Sequence, residues 1–351
     1  MHSSTDRRKF IKAATVAGIG LGLSGSAFAA FAQDRPAKEI KVGIIGLDTE
    51  HSVKFTEIFH DPNATADVAG FRVVAAYPYG SRDIEFSVNA IPAATEKMRS
   101  MGVEIVDSIK ALLRKVDVVL LETNDGRLHL EQALPVLKAG KPVFIDKPIA
   151  ASLADAVAIF KAAEKYKVPV FSASSLRYME SAQQIRNGKI GKVLGADAFS
   201  PAVIEKTHPD LFWYGVHGVE ALFTVLGPGC KSVQRTYTNG TDVVVGLWED
   251  DRIGTFRGIR AGAHDFGGTA FGEKGVATFG PWQGYRPLVV QIAAFFRTGK
   301  APVSPEETLE IFAFMEAADE SKLQSGAKVS LESVMQKARA AADKQLNAVK
   351  G

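Results

Sequence analysis

Val143-Phe144-Ile145-Asp146-Lys147-Pro148 follows a turn at Gly140-Lys141-Pro142, which ends a helical pattern running from Arg127 to Ala139. A short apolar run bounded by such signals reads as a buried strand, so Lys147 is expected at a strand's C-terminal end. Pro148 disfavours the α region for the residue before it, so Lys147 leaves the sheet extended. In an open parallel sheet, ligands bind in the crevice beyond the carboxyl ends of the strands. That address makes Lys147 a candidate for chemistry, against the plainer reading of a solvated loop lysine.

Upstream of this strand the same grammar repeats. Ile40 to Ile45, Arg72 to Tyr77, Val103 to Val106, Val116 to Leu121 and, downstream, Val168 to Ser172 are short apolar runs, with helical stretches between most of them. This alternation predicts a Rossmann-like, doubly wound parallel sheet over residues 38–173. After about residue 175 the rhythm changes. A helix from Glu180 to Asn187, a strand from Val193 to Phe199 and a helix from Leu211 to Leu226 lead into residues 231–279, where apolar alternation is broken by Asn239-Gly240, Glu249-Asp250-Asp251 and Glu273-Lys274-Gly275. That pattern predicts an antiparallel meander. With terminal helices from Leu288 to Arg297, Pro305 to Leu323 and Leu331 to Val349, residues 174–351 are expected to form an α/β domain with an open, largely antiparallel sheet.

The first 32 residues carry Arg7-Arg8-Lys9-Phe10-Ile11-Lys12, an apolar Gly-rich stretch from Ala13 to Ser26, and small-residue sites at Ala27-Phe28-Ala29 and Ala30-Phe31-Ala32. This reads as a twin-arginine signal peptide, with the twin-arginine export machinery as partner, a periplasmic or otherwise exported destination, and no membrane span once the signal is removed. A retained N-terminal anchor is the rival reading. The leader holds four basic residues and one acidic, so the remainder of a chain with 42 basic and 39 acidic residues is formally neutral. Nothing in that balance points to a nucleic-acid partner. The single cysteine, Cys230, excludes an internal disulfide framework.

Several motifs recur in a fixed order: Gly43-Ile44-Ile45-Gly46, Thr123-Asn124 with His129 six residues on, Ala139-Gly140-Lys141-Pro142 before Asp146-Lys147-Pro148, Asn187-Gly188-Lys189-Ile190-Gly191-Lys192-Val193, and Gly215-Val216-His217. Together they resemble the Gfo/Idh/MocA family of glucose-fructose oxidoreductase and inositol dehydrogenase, from Ile40 to about Leu331. The resemblance implies an oxidoreductase with NAD or NADP beside a sugar or polyol substrate, and a homo-oligomer formed through the second sheet. It also implies Lys147 and His217 as the catalytic acid/base pair, and Gly43, Gly46, Thr123, Asn124 and His129 as cofactor-binding residues. Asp146 stands where the family has Glu, and Trp213 where it has Asp. On a helix, Trp213, His217 and Glu220 would share a face, which adds Trp213, Glu220 and Asp146 to the substrate candidates. A buried structural histidine is the plainer reading of His217.

The dinucleotide fingerprint G-x-G-x-x-G runs here as Gly46-Leu47-Asp48-Thr49-Glu50-His51, with one glycine of three. A carboxylate about 4 Å from one phosphate charge costs about 4 kcal/mol at an effective dielectric near 20, roughly three decades of affinity. The second strand ends Ala75-Ala76-Tyr77-Pro78, with no acid for a ribose hydroxyl. Asp48 and His51 are therefore candidates for contact with a sugar, against a reading of Asp48 as a helix cap and His51 as packing. Two such groups do not make a metal site. Glu122, His129, Asp146 or His217 would have to add ligands, and no metal is expected. Two functions remain: hydride transfer with a tightly held nicotinamide, or a lyase, hydrolase, epimerase or sugar-binding protein that needs no dinucleotide.

Overall fold

A computed structural model describes residues 39–348; the leader reading at residues 1–32 and the expected helix end at Val349 lie outside them. The first half runs β1 (Ile40–Ile45), α1 (Glu50–Phe59), β2 (Phe71–Tyr77), α2 (Glu85–Ser100), β3 (Glu104–Ile105), α3 (Ile109–Leu113), β4 (Val118–Leu121), α4 (His129–Lys138), β5 (Val143–Ile145), α5 (Leu153–Tyr166) and β6 (Val170–Phe171). All six strands are parallel, in the order β3-β2-β1-β4-β5-β6. That is the doubly wound order, with its switch point between β1 and β4. β4 and β5 are buried throughout, as strands covered by helices on both faces must be.

The second half runs α6 (Glu180–Arg186), β7 (Val193–Pro201), α7 (Asp210–Trp213), α8 (Val216–Leu226), β8 (Cys230–Tyr237), β9 (Thr241–Trp248), β10 (Ile253–Ile259), β11 (Gly267–Gly272), β12 (Gly275–Phe279), α9 (Arg286–Thr298), α10 (Pro305–Leu323), β13 (Val329–Ser330) and α11 (Leu331–Ala348). Its strands form one sheet in the order β12-β11-β7-β10-β9-β8-β13. The expected meander is therefore interrupted. β7 lies between β10 and β11, parallel to the first and antiparallel to the second. The expected helix from Leu211 to Leu226 is also broken, at Tyr214-Gly215. Tyr214 sits at φ −132°, outside helical geometry, and the break turns its ring toward His217.

α9 returns to the first sheet. Leu288, Val289, Ile292 and Phe295 are buried there in one cluster with Phe55, Phe144 and Phe171. Each such side chain contributes about 1.5–3 kcal/mol on leaving water. The loop leading into α9 is thereby fixed across the C-terminal ends of β1 and β5, and it brings Trp282 and Tyr285 to the same place.

Candidate active site

The turn leaving β1 is organised by Gly46 and Asp48. Gly46 holds φ at +91°, and a Cβ on it would stand 2.4 Å from the Thr123 backbone nitrogen, so the turns after β1 and β4 pass this closely only with glycine present. The fully buried Asp48 accepts hydrogen bonds from the N–H groups of Ser81 and Asn124, both at 3.0 Å. It ties together the turns after β1, β2 and β4. Burial pushes its carboxyl pKa up, and the two amides pull against that. The loop after β2 lies so close that a Cβ on Gly80 would meet the carboxylate at 2.3 Å. Arg127 then pairs with both Asp83 and Asp125, holding that loop over the sheet.

The expected roles of Asp48 are corrected by this geometry. The α1 cap is Thr49, whose hydroxyl accepts from the His51 N–H at 3.4 Å, and the fully buried Asp48 carboxylate is taken up by the Ser81 and Asn124 amides.

Beside this closed region lies a cavity of about 690 Å³, lined by His51, Lys147, Ser175, Trp213, Tyr214, His217, Trp282 and Tyr285 among others. Lys147, at a cis peptide bond to Pro148, reaches into it. Its ammonium is 5.9 Å from the Tyr214 ring centre, and that ring meets His217 edge-on at 4.9 Å. His217 Nδ1 is 2.7 Å from the Ser174 hydroxyl. Burial, then the charges of Lys147 and His51, hold the His217 pKa well below the usual imidazole value, so the ring is neutral at neutral pH. His51 stacks edge-on with Tyr285 at 4.6 Å, and its Nδ1 is 2.7 Å from Asp146 Oδ2. Burial would raise the Asp146 pKa, but His51 and Lys147 hold it below the ordinary carboxylate value. Glu122, beneath them, is pushed well up by burial and by the charge of Asp146.

Of the candidates read from sequence, Lys147, His217, His51 and Trp213 line this one cavity, and Asp146 lies under it. Glu220 does not join them. Its carboxylate accepts from Arg177 Nε and from the Ser174 N–H, both at 2.6 Å, and Arg177 also binds Glu307. It is part of a buried ion cluster, and its contribution to the site is to fix Ser174. Among the five cofactor candidates only Asn124 borders the cavity. Gly43 makes room for Leu112 and Val116, and Thr123 donates to Gln132 at 2.7 Å. The His129 ring spans the carbonyls of Thr123 (2.6 Å) and Ile149 (3.1 Å), bracing the turns after β4 and β5.

Ser174, Tyr214, Trp282 and Tyr285 were not singled out by the sequence. Trp282 and Tyr285 come from a loop more than 100 residues away, where Trp282 Nε1 donates to Ser175 at 3.0 Å and Tyr285 donates to Glu50 at 2.6 Å. The one sequence signal was the density of aromatic residues around Gly280-Pro281. A second concavity, of about 540 Å³ near Arg186 and Arg286, contains no acid–base pair of this kind.

Residues 14–174 match the family described as "Oxidoreductase family, NAD-binding Rossmann fold" (GFO_IDH_MocA). No protein of curated function matches the sequence. Among solved structures, the chain is similar to a scyllo-inositol dehydrogenase from Lactobacillus casei with bound NAD(H) and scyllo-inositol, at 17% identity and a TM-score of 0.67, covering 84% of this chain and all of that one. An oxidoreductase from Thermotoga maritima is similar at 19% identity and a TM-score of 0.66, covering 85% of this chain and all of that one. At such identities the likeness establishes the fold.

The residues of this chain do not fit a dinucleotide laid across the switch point. The amides of Ser81 and Asn124 are already bonded to Asp48, and Glu50 is a second acid in the same turn. Gly80 and its neighbours lie against Asp48 beyond the end of β2, where an adenosine ribose would need an acid and open space.

Proposed function

We infer, from the match of residues 14–174, that the chain is an oxidoreductase of the Gfo/Idh/MocA family. From that premise we propose that its cleft takes a sugar or polyol, and that Lys147 and His217 move the proton of a substrate hydroxyl or of a carbon beside a carbonyl. The observation that supports this reading is the convergence of an amine, a neutral imidazole and aromatic walls on one cavity, whose 690 Å³ is within the range of about 300–1,000 Å³ for small-molecule sites. Lys147, on the cavity wall, is the group that takes the substrate proton. His217, neutral and bonded to Ser174, passes the proton on or returns it to the other face of the substrate. Trp213, Tyr214 and Trp282 offer flat faces to a sugar ring.

Hydride transfer is the reaction implied by the family. The position of Asp48 favours a second reading, in which the same pair serves a lyase, hydrolase or epimerase that needs no dinucleotide. Calorimetry with NAD+ and NADP+, together with analysis of the supernatant of denatured protein for a nicotinamide dinucleotide, separates the two. Submicromolar binding or a released nicotinamide would end the dinucleotide-free reading. Restoring glycine in Asp48→Gly/His51→Gly is expected to raise NAD(P) affinity. Proton-transfer chemistry is tested with a panel of sugars and polyols: Lys147→Ala and His217→Ala should each lower kcat by about 10²–10⁴-fold.

Two proposals accompany this one. The Arg7-Arg8 leader directs export, so Arg7→Lys/Arg8→Lys should leave the protein in the cytoplasm on fractionation. The outer face of the second sheet self-associates: Val276, Phe271 and Ile253 are exposed in one row across β12, β11, β7 and β10, with Gly195 between the last two. Ile253→Lys/Phe271→Lys should lower the molar mass measured by light scattering.

A further inference from the structure

His51, Glu122 and Asp146 are given no part in the proton transfer above, yet among the described residues they form a buried group whose ligand atoms converge. Glu122 and Asp146 directly follow the adjacent strands β4 and β5, and His51 stands in the first turn of α1, the helix that follows the neighbouring β1. The Glu122 N–H donates to the Ile45 carbonyl at 2.7 Å and the Asp146 N–H to the Leu121 carbonyl at 2.8 Å. The ladder thus runs one residue beyond each strand and delivers both carboxylates to the same depth. One ligand atom from each of the three residues lies within 4.8 Å of the other two.

Glu122 has no exposed surface, and neither of its carboxylate oxygens has a hydrogen-bond partner. Asp146 is 1% exposed, and its Oδ1 also lacks a partner. Native structures seldom leave buried carboxylate oxygens in this state. A proton on Glu122 would remove a charge and make one oxygen a donor, and would still leave the other oxygen without a partner. The charge of Lys147 offsets part of theirs, but its side chain points into the cavity toward Tyr214 and gives none of these three oxygens a hydrogen bond.

We propose that His51, Glu122 and Asp146 bind a divalent first-row transition metal. One imidazole nitrogen and two carboxylates are a donor set suited to Zn²⁺, Mn²⁺ or Fe²⁺, and the two anionic groups balance the charge of the ion. Ca²⁺ requires six to eight oxygens, which three side chains including an imidazole do not supply. His51 lines the cavity, so the remaining coordination positions open toward it. An oxygen of a bound small molecule or water completes the set there. Two of the three ligands lie where this sequence departs from the pattern it resembles, His51 in place of the third glycine and Asp146 in place of Glu, and Glu122 closes a strand that is otherwise apolar. Metal binding stands or falls independently of the role of Lys147 and His217.

The test uses the full-length protein purified without chelator. Metal analysis is expected to find about one equivalent of a transition metal per chain, or, after EDTA treatment, calorimetry is expected to find one saturable site for Mn²⁺ or Zn²⁺ and none of comparable affinity for Ca²⁺. Glu122→Gln, which keeps the shape of the side chain, should weaken that site by more than about 100-fold, since loss of outer-sphere partners alone costs about 10–100-fold. Wild type loaded with Co²⁺ should show visible absorption bands that Glu122→Gln lacks, a readout independent of activity. A wild-type protein that neither carries nor takes up a transition metal at millimolar concentration overturns the proposal. So does unchanged affinity in both Glu122→Gln and Asp146→Asn.

Discussion

Asp48 and Glu122 are both acids with no exposed surface, both at the C-terminal edge of the same parallel sheet, and they differ in one respect. The Asp48 carboxylate has two backbone amides of the protein itself as donors. Glu122 has none. A buried acid whose oxygens are satisfied by its own chain closes a site, because the donors that would receive an external anion are occupied. A buried acid left unsatisfied keeps a site open for something positive. The switch point of this sheet has been closed at one end and left polar and incomplete at the other.

The largest effect should come from a third buried acid cluster. Arg177 binds Glu220 at 2.6 Å and Glu307 at 2.7 Å, and all three are buried. Arg177→Met would leave Glu220 with the Ser174 N–H as its donor and Glu307 with Arg186 alone, and the expected loss is about 3–5 kcal/mol in denaturant unfolding. A loss below about 1 kcal/mol would mean that satisfaction by the protein's own chain is a poor guide to structural weight, and the comparison would fail at its first step.

Asp48→Asn sharpens it next. The carboxamide keeps the shape but turns an NH2 toward one of the two N–H groups it faces, so a charge-assisted hydrogen bond is lost and a donor is left unpaired. About 2–3 kcal/mol of stability should go with it. Gly80→Ala is expected to cost about 1–3 kcal/mol, because its Cβ meets the Asp48 carboxylate at 2.3 Å. If the two touch as described, that cost shrinks in an Asp48→Gly background. A double-mutant cycle with no coupling would mean that the loop after β2 does not rest on Asp48.

The history of these residues in the sequence is instructive. The six parallel strands were legible because each is a short apolar run between turn signals, which a local window captures. The place of β7 between β10 and β11 was not, since the choice of strand partner is made over more than 50 residues and leaves no local mark. The break at Tyr214-Gly215 was hidden for the opposite reason: residues 211–226 keep a continuous apolar pattern through it. Glu220 does follow His217 by one turn on α8, but its carboxylate is taken by Arg177, 43 residues earlier in the chain, which helical spacing does not show. Lys147 was singled out by its place at a strand end before Pro148 and by motif order, His217 by motif order, and both line the one cavity. Asp48 was recognised as hostile to a phosphate, but its partners Ser81 and Asn124 lie 33 and 76 residues away. Glu122 had one visible signal, an acid at the end of an apolar strand, and its orphaned state exists only in three dimensions.

The comparison extends to pH through His217. Its folded-state pKa is depressed, chiefly by burial, while in the unfolded chain the ring titrates near 6.5. The folded state binds fewer protons there, so the contribution of the neutral ring is fully present above that value and is lost as pH falls below it. Thermal unfolding followed from pH 8 to pH 5 should show a decline that is shallower in His217→Gln. An unchanged slope would mean that the ring protonates in place, with Ser174 rather than burial setting its state.

The smallest expected effect is the most discriminating. Glu122→Gln makes the same chemical change as Asp48→Asn, carboxylate to carboxamide, at the same sheet edge. No hydrogen bond is lost, because the described structure gives the carboxylate none to lose. In the presence of chelator the stability should therefore change by less than about 0.5 kcal/mol. Added metal then separates the proteins. Wild type should gain about 2.7 kcal/mol at a free ion concentration 100 times its dissociation constant, and Glu122→Gln should gain almost nothing. Paired melting curves of the two carboxamide variants, with and without Mn²⁺ or Zn²⁺, read all four values together. If Glu122→Gln destabilises the chelated protein as much as Asp48→Asn does, Glu122 has a donor of its own, and the distinction between the two acids is lost.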